Sequence, residues 1–190
     1  YWDEVTVPMP MKGEALTNSM YAVQRLAEKL GVTATSQRRL DSLPDANSVI
    51  YLSYWNWNLV RARREQLQRW VESGGHLVAD STLIGGDSEL QSWTGIERTV
   101  LPVDEDEARS DDDDENCADL EVETVTPDAA TSSVSYYVCG VSPRSRLTHK
   151  NRHRATWLLS DAEGMQALRV AIGRGSFTMI NGAPFDNYLL

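Results

Sequence analysis

Hydrophobic positions recur every three or four residues in two segments of the N-terminal half, which is the period of a helix with one buried face. The first segment runs from Glu14 or Asn18 to Leu30, and Gly31 is placed to end it. The second begins at Asn58, a residue that can cap a helix, and continues through Ser73. The pattern therefore predicts two amphipathic helices.

Short apolar or β-branched runs lie around these helices and predict strands. The runs at 48–54 and 76–79 are nearly continuous, as in strands buried on both faces of a parallel sheet. Shorter strands are predicted at 3–7 and 32–35. Because strands and helices alternate with short connections, we expect an α/β fold with a flavodoxin-like, mostly parallel sheet and helices on both faces.

Downstream of the helices the pattern contains strands alone. They are predicted at 120–125, 134–139, 155–159, 165–172 and 176–180. Gly173, Arg174 and Gly175 predict a tight turn between the last two. We therefore expect a single domain over 1–190 with a β-rich appendage at 119–160, followed by a last hairpin that returns to the main sheet.

The acidic charge is concentrated in one segment. The formal net charge is −10, but residues 104–123 hold twelve acidic residues and one basic residue, so the remainder is nearly neutral. Self-repulsion favours a solvated, flexible loop at 104–118. The alternative is a cation site whose ligands would be Asp111, Asp112, Asp113 and Asp114, although the segment lacks the alternating acids, the glycine and the distal glutamate of an EF-hand.

Composition excludes several classes of protein. A chain of 190 residues that is 41% hydrophobic can bury a core, and no segment approaches the roughly 18 apolar residues of a membrane span. Two cysteines cannot build a cysteine-rich zinc module. The basic stretch after Pro143 lacks interleaved aromatic residues, so pairing with the acidic segment or contact with anionic headgroups explains it better than nucleic-acid binding. We predict no cofactor.

Several short motifs together resemble one bacterial family. They are the Gly13-Glu14-Ala15 segment with the helix after it, the Trp70-Val71-Glu72-Ser73-Gly74-Gly75 segment that runs into the strand at 76–79, and Gly173-Arg174-Gly175. In order and spacing they are similar to domain-of-unknown-function family 4350. The resemblance implies an extracytoplasmic domain held between transmembrane helices, encoded beside MoxR-type AAA ATPases, with a fold similar to class I glutamine amidotransferases. The partners that it implies are other envelope or membrane proteins, among them those of such an ATPase system.

The resemblance to amidotransferases does not extend to their chemistry. Their nucleophilic cysteine follows the strand that corresponds to 76–79, where this chain has Asp80 and Ser81. Without a thiolate at that position, glutaminase activity is not expected. Tyr1 and Trp2, at the start, fit either an interface next to a membrane helix or a trimmed chain with no membrane neighbour.

Candidate binding residues cluster where the predicted parallel strands end. The expected crevice is lined by Glu14, Trp55, Asn56, Trp57, Asp80 and Ser81. Aromatic rings next to amides suit sugar or peptide stacking. The plainer interpretation is that one tryptophan packs over the sheet edge and the other packs against the start of the helix. Ser81 could be a nucleophile, although it lacks the elbow motif of serine hydrolases and more simply caps the following turn.

Cys117 and Cys139 flank two predicted strands. In an oxidising compartment they would form a disulfide, and in the cytosol two free thiols are the default. The family resemblance favours the disulfide. The sequence thus predicts a non-catalytic, extracytoplasmic interaction or ligand-sensing domain of a membrane-anchored protein in the bacterial envelope. The alternative is a hydrolase that uses Asp80 and Ser81.

Overall fold

The structure is a computed structural model. It describes residues 13–58, 60–83, 85, 87–101, 117–124, 134–150 and 155–185. The chain divides into two compact units, one formed by residues 1–40 with 185–190 and the other by residues 41–184. The single domain predicted for 1–190 stays a prediction.

Several predictions concern residues outside the described ones. These are the strand at 3–7, the acidic residues 104–116 with the candidate ligands Asp111, Asp112, Asp113 and Asp114, and the end of the basic stretch at 151–154.

The smaller unit contains a short 3-10 helix, Gly13–Leu16, and helix α1, Tyr21–Lys29. Gly31 follows α1 with φ 83°, so the predicted glycine stop is confirmed. The strand predicted at 32–35 is wrong, because these residues have no regular secondary structure. The Gln24 amide donates to the carbonyl oxygen of Ala34 at 3.1 Å and ties this segment to the helix.

The larger unit contains two helices and nine strands among the described residues. The helices are α2, Arg61–Glu72, and α3, Asp87–Thr94. The strands are β1, Val49–Leu52; β2, His76–Ala79; β3, Ile96–Val100; β4, Cys117–Thr124; β5, Ser135–Cys139; β6, Ser145–His149; β7, Ala155–Asp161; β8, Gly164–Ile172; and β9, Gly175–Ile180. All nine strands belong to one sheet.

The sheet is mixed, and most of its pairings are antiparallel. Its main path runs β1-β2-β9-β8-β7-β4-β5, and β6 attaches β3 to β8. Among the described strands, only β1 with β2 and β2 with β9 pair in parallel. The most buried strand is β9, where Gly175 through Met179 are all buried.

The predicted flavodoxin-like, amidotransferase-like and mostly parallel α/β fold is therefore wrong. The two apolar runs at 48–54 and 76–79 do form the parallel pair, but β7, β8 and β9 follow one another through short turns at 162–163 and 173–174. Such short connections join antiparallel neighbours, because a parallel crossover needs a dozen or more residues. The strands predicted as an appendage at 119–160 instead extend the main sheet beyond β8.

Three further elements differ from prediction. Helix α2 begins at Arg61 after Val60, which makes no side-chain cap, so Asn58 is not the cap. Helix α3 and strands β3 and β6 were not predicted, since charged and polar residues interrupt their apolar patterns. No described helix has both the length and the hydropathy to cross a membrane.

The turn between β8 and β9 lies directly against the end of α2. The backbone N–H of Arg174 donates to the Glu72 carbonyl at 3.0 Å, and that of Ser176 donates to the Gly75 carbonyl at 3.2 Å. A Cβ at Gly173 would lie 2.6 Å from the Glu72 oxygen, and one at Gly175 would collide with the carbonyl oxygens of Gly75 and Val71. Only glycine permits this approach.

We expect Gly175→Ala to lower the free energy of unfolding by about 3 kcal/mol, because the added methyl meets backbone atoms that cannot rotate away. Urea denaturation monitored by tryptophan fluorescence measures the change. Arg174→Ala, at an exposed position in the same turn, is the matched control and should change stability by less than about 0.5 kcal/mol. Equal stability of the two variants would contradict the role given to this contact.

The disulfide predicted between Cys117 and Cys139 is present. The two residues lie opposite each other in the β4–β5 register. The disulfide therefore joins the two strands at the end of the hairpin that is opposite the segment connecting them. The flexible acidic loop was predicted to extend to residue 118, but Cys117 and Ala118 are the first two residues of β4.

Replacing both cysteines by serine should lower the free energy of unfolding by about 3 kcal/mol. The disulfide joins residues 22 positions apart, and without it the unfolded chain gains conformational entropy. Thermal unfolding with and without dithiothreitol measures this effect. Reductant should lower the midpoint of the native protein to that of the Cys117→Ser/Cys139→Ser variant and leave the variant unchanged. A midpoint insensitive to both changes would contradict the prediction.

Candidate functional site

The candidate site lies where the parallel strands β1 and β2 end. The register pairs Leu52 with Ala79, so the residues that follow each strand are neighbours at one edge of the sheet. Ser53 and Tyr54 come after β1, and Asp80, Ser81 and Thr82 come after β2. Carboxyl ends of parallel strands are a common location for binding sites.

Asp80 is buried, with 1% of its surface exposed, and both of its oxygens accept hydrogen bonds. The Tyr51 hydroxyl donates to Oδ2. Oδ1 accepts from the backbone N–H of Thr82 at 2.9 Å and from the Thr82 hydroxyl. The carboxyl group thus ties β1 to the turn after β2, and its lone pairs are engaged by the protein itself.

Thr82 extends this connection to Tyr54. The backbone N–H of Tyr54 donates to the Thr82 hydroxyl oxygen at 2.6 Å. Tyr54 has φ 53°, a left-handed conformation that is costly for a residue with a large side chain. The chain of hydrogen bonds from Asp80 through Thr82 therefore holds a strained residue at the edge of the candidate site.

Ser81 is held by its backbone. Its N–H donates to the Gly182 carbonyl at 2.9 Å, and its carbonyl accepts from the Arg98 guanidinium at 3.3 Å. Among the described residues the Ser81 hydroxyl has no hydrogen-bond partner that could act as a base. A nucleophilic serine needs such a base, so the described geometry does not activate Ser81.

The tryptophans of the expected crevice have different environments. Trp57 is 1% exposed and stacks on Trp93 with ring centroids 5.7 Å apart, and Trp93 meets the edge of Phe177. Trp57 therefore packs over the sheet, as one of the two interpretations expected. Trp55 is half-buried, and Asn56 is exposed with its Oδ1 accepting from the Asn58 backbone at 3.0 Å.

The remaining predicted site residues lie elsewhere in the chain. Glu14 is exposed on the 3-10 helix of the smaller unit, where its carboxylate accepts from the Asn18 amide at 3.4 Å, and its place in a crevice stays a prediction. The candidate cation ligands at 111–114 are outside the described residues. Within the described part of the chain, no group of three His, Cys, Asp or Glu side chains is arranged to hold a metal ion.

A second polar cluster in the larger unit was missed by sequence reasoning. Arg146 is 7% exposed and pairs with Asp161 at 3.2 Å and with Glu163 at 3.1 Å. The Gln166 amide donates to Asp161 at 2.8 Å, and the amide of the fully buried Asn181 donates to Gln166 at 2.8 Å. Arg146, one residue of the basic stretch, thus belongs to a buried structural network.

The resolved pKa shifts lie away from the strand ends, on exposed helix positions. The Arg61 hydrogen bond and charge lower the pKa of Glu65, one turn later on α2. The Ser88 hydroxyl, which donates to Glu89 at 2.9 Å, lowers the pKa of that carboxyl. These shifts reflect local pairing on helix surfaces.

No protein-family model and no curated protein matches the chain. Its fold is similar to part of a solved structure, the exo-β-1,4-mannosidase Op5Man5 from Opitutaceae bacterium strain TAV5. The two are 17% identical with a TM-score of 0.54, over 97% of this chain and 30% of the mannosidase. The chain thus spans less than a third of that protein, and the likeness concerns the fold.

Two other solved structures align with lower scores. A β-galactosidase from Bacillus circulans sp. alkalophilus is 16% identical with a TM-score of 0.39, over 72% of this chain and 20% of that one. The cytoplasmic protein STM1381 from Salmonella typhimurium LT2 is 13% identical with a TM-score of 0.40, over 74% and 64% respectively.

Asp80→Ala should lower the free energy of unfolding by about 3 kcal/mol, because the Tyr51 hydroxyl and the Thr82 N–H lose their buried acceptor. Ser81→Ala at the adjacent position is the control and should cost less than about 0.5 kcal/mol. Combining Asp80→Ala with Tyr51→Phe should cost less than the sum of the two changes, which a double-mutant cycle in urea measures. Strict additivity would contradict the hydrogen-bonded connection.

Proposed function

We propose that this chain is a non-catalytic interaction domain and that the exposed edge of β5 is its docking surface. The proposal rests on the edge position and the exposed side chains of this strand. β5 is the last strand of the main sheet path, four of its five residues are exposed, and Tyr136 and Tyr137 remain 54% and 71% exposed. Large exposed side chains on a sheet edge are typical of strand-addition sites.

The backbone of β5 presents free groups to an added strand. The N–H of Val122 donates to the Val134 carbonyl, so the even-numbered residues of β5 bond to β4. The N–H and carbonyl groups of Ser135, Tyr137 and Cys139 therefore point outward from the described sheet. The disulfide fixes one end of this edge.

The charge of the hairpin selects the partner. Asp119 lies opposite Tyr137, and Glu121 lies opposite Ser135. These two exposed acidic side chains therefore share a face of the sheet with the side chain of Tyr137. A second copy of this chain would bring like charges together. We propose that the occupant is an extended segment with Lys or Arg at alternate positions, carried by another envelope protein.

The cellular location is part of the proposal. A disulfide is favoured in an oxidising compartment, which supports an extracytoplasmic location. We propose membrane anchoring on the resemblance to family 4350 alone. The link to a MoxR-type ATPase system remains one candidate source of the partner.

The likeness to the mannosidase fits an accessory role. Glycosidases use a pair of carboxyl groups across a cleft, whereas the Asp80 oxygens are engaged by Tyr51 and Thr82. We propose that this chain corresponds to a supporting part of a larger protein, as its coverage of 30% of the mannosidase allows.

Binding of a fluorescent peptide with alternating Lys and Val residues tests the docking surface. A matched peptide with Glu in place of Lys should bind at least about tenfold more weakly, because it meets Asp119 and Glu121 with like charge. Tyr137→Pro should abolish binding while leaving the fold intact, because the lost N–H points outward and proline is tolerated on sheet edges. Anisotropy titrations measure the affinities, and circular dichroism checks the fold.

Tyr136→Ala is the matched control, because it removes a neighbouring, largely exposed aromatic ring from the opposite face and keeps the outward backbone groups. It should bind the Lys peptide as the native protein does. Equal affinity for both peptides, or unchanged binding by Tyr137→Pro, would contradict the docking surface. Hydrolysis of chromogenic glycosides or esters that is lost in Ser81→Ala would contradict a non-catalytic role.

A further inference from the structure

The Cys117–Cys139 disulfide lies in a part of the β4–β5 hairpin that no third described strand supports. Residues 121–124 of β4 pair with β7, whereas residues 117–120 pair with β5 and with no other described strand. We call 117–120 with 136–139 the ribbon. A two-stranded ribbon is marginally stable in water. The disulfide therefore supplies part of the stability that holds the ribbon together.

One sulfur of this disulfide is accessible to a reactant in solvent. Cys139 is exposed on the edge strand, whereas Cys117 is half-buried. A disulfide is opened by a thiolate that attacks one of its two sulfurs, and the rate depends on access to that sulfur. Cys139 Sγ is therefore the accessible target, and Cys117 is the leaving group.

The two ends of the disulfide are anchored differently. The Gly140 carbonyl accepts from the N–H of Ala183 at 2.8 Å, and Val141 forms an antiparallel bridge with Gly182, so the chain after Cys139 stays attached to the sheet. Leu120 is buried and anchors the middle of β4. Opening of the disulfide therefore loosens the start of β4 from β5, next to the outward backbone groups of the docking surface.

Acidic side chains influence which thiol reaches Cys139. Asp119 and Glu121 share a face of the hairpin with the disulfide, because alternate residues of a strand point to the same side. Both side chains are exposed. The attacking group is itself an anion, so these carboxylates disfavour an acidic reductant and favour a thiolate that a basic surface carries.

We propose that this disulfide is a thiol–disulfide exchange site for a protein dithiol on a basic surface, and that its opening switches off docking at β5. One thiolate of the dithiol attacks Cys139 Sγ, and Cys117 leaves as a thiolate. The second thiolate of the dithiol then attacks the mixed disulfide, and Cys139 leaves. Two electrons pass from the dithiol, which becomes a disulfide, to the cystine, and the two protons lost by the dithiol reach the cysteine thiolates through solvent. The effect on docking rests on the proposed function.

Trapping of the mixed disulfide identifies the attacked sulfur. The oxidised whole chain is treated briefly with cysteamine, a cationic thiol, and quenched with an excess of iodoacetamide. Peptide mass spectrometry should find cysteamine on Cys139 and the alkyl group on Cys117. The reverse distribution, or an equal one, would overturn the assignment of Cys139 as the target.

Exchange rates with cysteamine and with anionic 2-mercaptoethanesulfonate test the role of charge. At low ionic strength the ratio of the two rate constants should fall at least about threefold in Asp119→Asn/Glu121→Gln, because two carboxylates are removed. Asp41→Asn/Asp45→Asn is the matched control, since it removes two exposed acids that precede β1 at the opposite end of the strand path. An equal ratio in both double variants would overturn the preference for a basic partner.

NMR and peptide binding test the switch. On reduction with dithiothreitol, the amide signals of Ala118 and Val138 should move toward random-coil positions, while those of Leu168 and Phe177 in the core stay in place. Affinity for the Lys peptide should fall at least about tenfold, because an added strand needs an ordered edge, and should return on reoxidation. The Cys117→Ser/Cys139→Ser variant should bind as the reduced protein does, with or without reductant.

The failures of the two proposals are distinguishable. Equal peptide affinity of the oxidised and reduced forms would overturn the switch and leave the docking surface in place. Absence of binding by the oxidised protein would contradict the docking surface, while trapping and the amide signals of the ribbon still decide the exchange site. Ribbon signals that do not move on reduction would overturn the loosening of β4.

Discussion

The larger unit depends on the close contact between the β8–β9 turn and the end of α2. Gly173 and Gly175 bring this turn within hydrogen-bonding distance of the carbonyl groups of Glu72 and Gly75. The contact places the first residue of β9 next to the first residues of β2, so the two strands run in parallel. Because β8 ends at the same two-residue turn from which β9 begins, the two strands must pair in the antiparallel direction. One tight backbone approach thus joins a parallel pair to an antiparallel meander.

This constraint explains which parts of the fold could be predicted. The apolar runs of β1 and β2, the glycine after α1 and the turn before β9 are local signals, and each was predicted at its observed place. The direction in which distant strands pair is not a local property, and a βα alternation near the start of the chain was extended to the whole sheet. The short turns before β8 and β9 already favoured antiparallel neighbours. Connection length was therefore the more reliable signal.

Polar residues show the same division between position and role. Asp80 and Ser81 were predicted at the carboxyl end of β2 and lie there, but the sequence does not reveal that Tyr51 and Thr82 occupy the Asp80 oxygens. Those partners come from a neighbouring strand and from two residues ahead. Arg146 belongs to the basic stretch after Pro143, for which pairing with the acidic segment or contact with anionic headgroups was expected. It is buried, and Asp161 on the next strand along the chain supplies its counter-charge. A charge pattern along the chain cannot identify a partner that only the sheet brings close.

The location of function follows from how these polar groups are used. Where both oxygens of a buried carboxyl group accept hydrogen bonds from the protein, as those of Asp80 do, the group stabilises the sheet and has less capacity left for a ligand. Groups with remaining capacity are then the informative ones. In the larger unit the outward N–H and carbonyl groups of β5 are of this kind. Motif reasoning missed them, because they do not depend on an unusual residue type. An edge strand acquires its meaning from the sheet around it.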